Sequence, residues 1–346
     1  MKKKNVVNLI RCYTDHNDSG FRTEAEEIAK SFDKDGDYEL AEYIMTLLSG
    51  SNVFVPQIDD GRAAFFEKIE IKNDNLWLPD AIMTDMKGIM NAISNKTGVN
   101  KFLFVGKPGT GKTQAVIQLA RILNRDVHMV NFASVVDSKL GNTAKNIVDL
   151  FREIDSFQRP EKLIILFDEI DAIALDRTNC MDHREMGRAT STIIKELDRL
   201  RDDIILIATT NLYKYFDKAL VRRFDAIIDF DRYSRQELND IAERYLNLYL
   251  KKFHVENREV RLFRKIISEK EEMPSPAEIQ NAIRTAIVFC DLNVQGDYLR
   301  RLYTVFLERD IDDVSVLKEK GYTVREIGIL TGQSKSTVDR QLKQWG

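Results

Sequence analysis

Eight residues from Gly106 to Thr113 read GKPGTGKT and follow the apolar run KFLFV, Lys101 to Val105. A glycine-rich turn of spacing G-x-x-x-x-G-K-T, set between a strand and a helix, is the pattern of a loop that holds phosphate. Gly106, Gly109 and Gly111 lack a Cβ, so the turn through Pro108 and Thr110 can close tightly and converge its backbone N–H groups on phosphate oxygens. Lys112 adds a point charge that reaches the outer phosphates, and the Thr113 hydroxyl is placed to ligate Mg2+. The plainer alternative is a glycine turn that happens to precede a helix.

Acidic chemistry follows in LIILFDEID, Leu163 to Asp171. Ligands of open α/β sheets meet the carboxyl ends of the strands, which directs Asp168 and Glu169 into the crevice that holds Lys112. Asp168 can hold Mg2+ through water, and Glu169 can polarise the attacking water. Two acids after a strand can also cap the next helix. A further apolar run ends at Asn211, whose amide can orient the lytic water or touch the outermost phosphate. Arg222 and Arg223, in ALVRRFD, stand a whole element away from the phosphate loop. That location suits a neighbouring subunit's nucleotide, where a guanidinium fork neutralises charge on the γ-phosphate; ordinary surface arginines are the alternative.

These groups need a scaffold, and the hydrophobic pattern supplies one. Strands are expected over Lys101 to Val105, Val127 to Phe132, Leu163 to Phe167, Ile204 to Ala208 and Ala226 to Phe230, with helical patterns such as Ala144 to Glu153 and Met186 to Leu200 between them. Continuous apolar runs such as LIILF fit strands covered on both faces. The fold class is therefore α/β, a doubly wound and mostly parallel sheet. Gln236 to Leu250, Glu259 to Ile267 and Ala277 to Leu292 supply a helical lid, with the nucleotide between sheet and lid. Phe21 to Ser49 reads as an N-terminal helical hairpin whose turn, Asp33 to Asp37, lacks the glycine and glutamate of a calcium loop. The expected divisions are 1–75, a helical module; 76–232, the nucleotide-binding α/β domain; 233–308, the lid; and 314–346, a helix-turn-helix.

Taken together, the phosphate loop, LFDEID, Asn211 and the ALVRRFD segment resemble the AAA+ ATPases, in particular their AAA group, over roughly Leu76 to Cys290. The resemblance implies Mg2+-dependent ATP hydrolysis by an oligomer, usually a hexameric ring, in which Arg222 and Arg223 complete the next subunit's site and hydrolysis remodels or threads a protein partner. Ser275 to Ala286, SPAEIQNAIRTA, resembles the lid segment that lies near the adenosine, with Pro276 in place of a glycine and Ala277 keeping the small side chain. Arg284 is placed for a sensor-like role, although an ordinary exposed helix arginine is the simpler account. Ser138 to Asn142, SKLGN, stands where threading members carry a pore aromatic, leaving Lys139 and Leu140 to touch a substrate. The arrangement also resembles stand-alone bacterial AAA ATPases found beside subtilisin-like proteases, which implies such a protease as a partner.

The last thirty residues resemble a resolvase-like helix-turn-helix, with Ile327, Leu330, Val338 and Leu342 turned inward, Gly328 at a close helix crossing and Gly332 at the turn. Lys335, Ser336, Thr337, Arg340 and Lys343 would face duplex DNA through 334–343, and a protein-docking bundle is the alternative. Val316 to Gly346 carries six Lys or Arg against three acids, whereas the whole 346-residue chain has a net charge of -3. Any nucleic-acid contact must therefore be local. Cys12, Cys180 and Cys290 are too far apart for a metal pattern and suit a reducing, cytoplasmic setting; no run of apolar residues is long enough to span a membrane. Two functions are thus in play: an oligomeric ATPase acting on a protein, or a DNA-binding regulator or mobile-element targeting protein whose assembly ATP controls.

Overall fold

A computed structural model describes residues 3–14, 18–35, 44–45, 65–71, 76–136, 142–174, 183–255, 258–291 and 294–345. They fall in two compact units, Met1–Ala64 and Phe65–Gly346. In the first, helices Lys3–Thr14 and Asp18–Asp35 pack on each other, Ala25, Ile28 and Ala29 are buried, and Asn8 Nδ2 donates to Glu24 Oε2 at 3.2 Å. The hairpin expected over Phe21 to Ser49 thus has its first helix, but that helix pairs with the preceding one. Most of the expected second helix lies outside the described residues.

The second unit is built on one six-stranded sheet: β1 (Phe66–Ile69), β2 (Lys101–Val105), β3 (Asp126–Val130), β4 (Leu163–Phe167), β5 (Leu206–Thr210) and β6 (Ala226–Asp229). Their order is β1-β3-β4-β5-β2-β6, parallel throughout except for β1, which pairs antiparallel with β3. This is the α/β sheet expected from the alternation of patterns. Two strands shift: β3 starts and stops earlier than Val127 to Phe132, and β5 begins at Leu206, so that its carboxyl end reaches Thr210 beside the site. The edge strand β1 is an addition to the five expected strands.

Covering layers explain the continuous apolar runs. Leu103 and Val105 of β2, with Leu163, Ile165 and Phe167 of β4, join the cluster under helices Asn142–Ser156 and His183–Arg199. Phe102 and Phe104, with Ile164 and Leu166, face the opposite cluster under helices Asp80–Ser94 and Lys112–Leu123. Successive strand residues point to opposite faces, so a strand buried on both sides must be apolar at every position.

Beyond the sheet, helices Arg235–Lys252, Val260–Glu269, Pro276–Val288 and Asp297–Leu307 form the lid, and Val314–Glu319, Val324–Thr331 and Lys335–Trp345 form the tail. Lid and tail share one hydrophobic cluster, in which Leu317, Tyr322, Ile327, Leu330 and Val338 pack with lid residues such as Ile266 and Tyr303. The acidic stretch from Arg309 to Asp313 is tied into this packing: Tyr303 OH donates to Asp312 Oδ2 at 2.5 Å, and Lys320 and Arg309 pair with Asp312 and Glu269. Gly328 serves a different contact from the one expected. A Cβ there would come within 2.9 Å of the Gln333 carbonyl, so the close approach is made by the following turn rather than by a crossing helix.

Candidate nucleotide site

The phosphate loop links the end of β2 to helix Lys112–Leu123. Gly106, Gly109 and Gly111 all have positive φ, at 146°, 77° and 93°. A Cβ on Gly109 would lie 2.7 Å from Ser275 Oγ and 3.0 Å from the Ala277 Cβ, so here the lid closes directly on the loop. Ala277 N donates to the Gly109 carbonyl at 3.1 Å, and Tyr233 OH donates to the Thr110 carbonyl at 2.8 Å. Burial holds the Tyr233 hydroxyl well above the usual phenol range, so it remains a donor. Asp231 Oδ1 accepts from Lys107 N at 2.7 Å, fixing the start of the turn.

Lys112 is buried and its Nζ makes three bonds, to the carbonyls of Gly106 (2.8 Å) and Lys107 (2.9 Å) and to Asn211 Oδ1 (2.8 Å). Desolvation lowers its pKa, against the attraction of Asp231, Asp168, Asp171 and Glu169. Asn211 Nδ2 in turn donates to Glu169 Oε1 at 3.1 Å, so lysine, amide and glutamate form one chain of contacts. Asp168 Oδ1 accepts from Thr113 Oγ1 at 2.8 Å and from Thr209 Oγ1 at 2.7 Å. Glu169 is a non-glycine residue at φ 50°, a conformation that stores strain, and its N–H is held by Thr209 Oγ1 at 2.9 Å. Asp171 anchors the next strand by accepting from Asn211 N at 3.0 Å and from the Thr210 hydroxyl.

Around these groups lies a cleft of about 720 Å3 that reaches from Pro108, Gly109, Gly111, Lys112 and Thr113, past Glu169 and Asn211, to Ala277 on the lid. Its lid wall adds Tyr245, Leu248, Tyr249, Lys252, Gln280 and Arg284, and Leu76 closes one edge. Gln280 Nε2 donates to Tyr249 OH at 2.9 Å. Tyr245, Tyr249 and Lys252 are not apparent from sequence, because an i, i+4 tyrosine pair on a long helix reads simply as core. Arg284 is exposed, as expected, but exposed into the cleft, with Nη2 donating to Asn281 Oδ1 at 2.9 Å.

The arginine pair stands apart. Neither Arg222 nor Arg223 lines the cleft. Arg223 is gripped as a fork by Asp198, Nε to Oδ1 at 3.0 Å and Nη2 to Oδ2 at 3.1 Å. Arg222 is exposed and, among the described residues, makes no side-chain hydrogen bond or ion pair. Lys139, Leu140 and Cys180 lie outside the described residues. Cys12 and Cys290 are free thiols. No helix among the described residues is long and apolar enough to cross a membrane.

Comparison with known proteins fits this geometry. Residues 102–232 match the family described as "ATPase family associated with various cellular activities (AAA)". An uncharacterized AAA family ATPase of Sinorhizobium fredii is 30% identical over 235 residues, covering 62% of this chain and 70% of that relative. A proteasome-activating nucleotidase of Methanococcus vannielii is 30% identical over 198 residues, and the match spans about half of each chain, 49% of this one and 48% of the relative. In fold, the chain resembles a solved chain of the E. coli MS115-1 HORMA:CdnC:Trip13 complex, with a TM-score of 0.54 at 17% identity, covering 72% of this chain and 97% of that one. The glycine-rich loop and the acids at the end of β4 lie within the matched residues: the chain is a member of the AAA family and an ATPase.

Proposed function

We propose that the protein is an oligomeric, Mg2+-dependent ATPase that uses hydrolysis to remodel a protein partner. The observation that carries this reading is the chain of contacts from Lys112 through Asn211 to Glu169. It joins the group that meets the outer phosphates to the group that activates water, so occupancy of the loop is felt at the hydrolytic carboxylate. Glu169 acts as the general base and Asn211 positions the water.

Thr113 and Asp168 fit Mg2+. Their oxygens already meet at 2.8 Å, a hard-oxygen pair suited to a cation that takes its other ligands from water and phosphate. Mg2+ bound there would neutralise charge on the β- and γ-phosphates. Arg222 and Arg223, away from the cleft of their own chain, suit the nucleotide of an adjoining subunit in a ring. Similarity to a proteasome-activating nucleotidase supports protein remodelling as the work done. A subtilisin-like protease remains a partner proposed from resemblance alone.

The test is Glu169→Gln. It should retain ATP while kcat falls by about 10²–10⁴-fold, and with ATP held it should size as more than two subunits. Unchanged turnover would refute the role of Glu169.

One observation favours a second reading, in which the tail meets duplex DNA. Lys335, Ser336, Arg340 and Lys343 are all exposed on the last helix. Thr337 is less available, since its Oγ1 lies 2.8 Å from Ser334 Oγ and its N–H donates to the same hydroxyl at 3.2 Å. Because the tail shares the lid's core, point substitution of Lys335, Arg340 and Lys343 is the appropriate probe; deleting the tail would strip cover from Ile266 and Tyr303.

A further inference from the structure

A second concavity lies at the opposite end of the sheet, where β3 and β4 begin rather than end. Among the described residues, this cavity of about 580 Å3 is lined by Arg121, Arg125, Arg159 and Lys162, with Asp126 the single carboxylate in that lining and Glu161 close enough to act on Arg125. In a chain of net charge -3, four cations against one acid is a local departure from the average surface.

Two of the four cations have structural work. Arg121 sits in the last turn of helix Lys112–Leu123, where a cation complements the helix dipole. Arg125 is half-buried, and its Nη1 donates to the carbonyls of Pro160 at 3.4 Å and Leu163 at 3.2 Å, stitching the starts of β3 and β4. Arg159 and Lys162 have no such task. Arg159 precedes the turn Pro160–Lys162 and Lys162 ends it; both are exposed, and among the described residues neither side chain makes a hydrogen bond or ion pair. Asp126 is engaged elsewhere, with Lys68 Nζ at 3.0 Å.

A basic cavity between lid and tail provides the contrast. There Arg264, Lys265 and Lys320 each meet a carboxylate, Glu243 at 2.7 Å, Glu326 at 2.6 Å and Glu269 at 3.2 Å. Those cations are spent on internal pairs, whereas Arg159 and Lys162 are not. Among the described residues no aromatic ring lines the cavity at the strand starts, so these residues offer charge and guanidinium forks but no surface for stacking a base.

We propose that this cavity is a phosphate-binding site separate from the nucleotide cleft, taking a phosphate group of a nucleic-acid strand or of a free polyphosphate through Arg125, Arg159 and Lys162. The two sites lie at opposite ends of strands of five residues, about 17 Å at the usual rise. Both can be filled in the same molecule.

The experiment uses the intact chain with its cleft saturated by ADP and with Lys335, Arg340 and Lys343 changed to alanine, so that neither the phosphate loop nor the tail contributes. The probes are a fluorescent single-stranded oligonucleotide of about 20 nucleotides and inorganic tripolyphosphate, titrated at two salt concentrations. Arg159→Ala with Lys162→Ala should weaken one or both probes at least about tenfold. For the oligonucleotide it should also reduce the slope of log affinity against log salt by about 1.4, two contacts at about 0.7 each. Loss with the oligonucleotide identifies a strand as the source; loss with tripolyphosphate alone identifies a free phosphate ligand. Arg159→Glu with Lys162→Glu should abolish binding while ATP turnover, measured separately with ATP in place of ADP, is unchanged, which shows that the chain still folds. Binding of both probes that stays within about twofold in the alanine variant, no binding of either probe, or polyglutamate binding as tightly as the phosphate probes, would overturn the proposal.

Discussion

The phosphate end of the cleft and the arginine segment are both rich in functional side chains, and they are held in opposite ways. At the phosphate end Lys112 meets Asn211 and Asn211 meets Glu169, while Thr113 meets Asp168, all within one polypeptide. At the arginine segment Arg223 is clamped by Asp198 and Arg222 meets no partner among the described residues. The first region is organised for its own nucleotide. The second keeps its charge away from its own cleft, the observation behind the proposal that it serves another subunit.

That contrast can be broken by substitution. Changing Arg222 and Arg223 together to alanine should lower kcat by about 10³-fold and leave ATP affinity nearly unchanged, because neither side chain lines the cleft. A matching loss of affinity, measured by titration with a fluorescent nucleotide, would place the pair in its own site instead.

Asp198→Asn should act more weakly. It loosens the Arg223 fork, so turnover should fall several-fold while thermal stability changes by no more than about 0.5 kcal/mol, the usual worth of an exposed ion pair. Lost stability with unchanged turnover would make Asp198 a plain salt bridge.

The smallest effect on catalysis is expected at the lid–tail junction. Burial alone would raise the Glu326 carboxyl, but Lys265 Nζ at 2.6 Å and the capping bonds from Thr323 outweigh it, so its pKa lies below the ordinary value. A carboxylate depressed in this way stabilises the fold above its unfolded pKa of about 4.3 and loses that contribution as pH falls through the lower folded value. Glu326→Gln should therefore cost about 1–3 kcal/mol at neutral pH and flatten the acid limb of a stability profile, with kcat unaffected.

Legibility in the sequence follows the same division. Gly106, Gly109 and Gly111 are readable because positive φ is a local demand that few residues meet. Asp168 and Glu169 are readable because the five-residue run of β4 fixes where a parallel strand ends. The lid wall is not: which face of helix Arg235–Lys252 turns Tyr245 and Tyr249 toward the nucleotide depends on how the lid docks, a long-range matter. Thr209 was hidden by a two-residue shift of β5, although it holds both Asp168 and the strained Glu169. The edge strand β1 is not legible because its sequence, FEKI, does not alternate apolar and polar residues: Phe66 and Ile69 are half-buried around exposed Glu67 and Lys68. The common core of lid and tail is masked by the acidic stretch between them, in which Asp312 pairs with Arg309 and Lys320.

The central claim, that each site is completed by an arginine from the next subunit, is tested most directly by mixing two inactive proteins. One carries Lys112→Ala and cannot hold its own phosphates; the other carries Arg222→Ala and Arg223→Ala and cannot complete its neighbour's site. Steady-state ATP hydrolysis should return when the two are combined, reaching a maximum at intermediate ratios, because some interfaces then join an intact loop to an intact arginine pair. Turnover that stays at the sum of the two separate proteins at every ratio, in mixtures shown to co-assemble, would contradict the account.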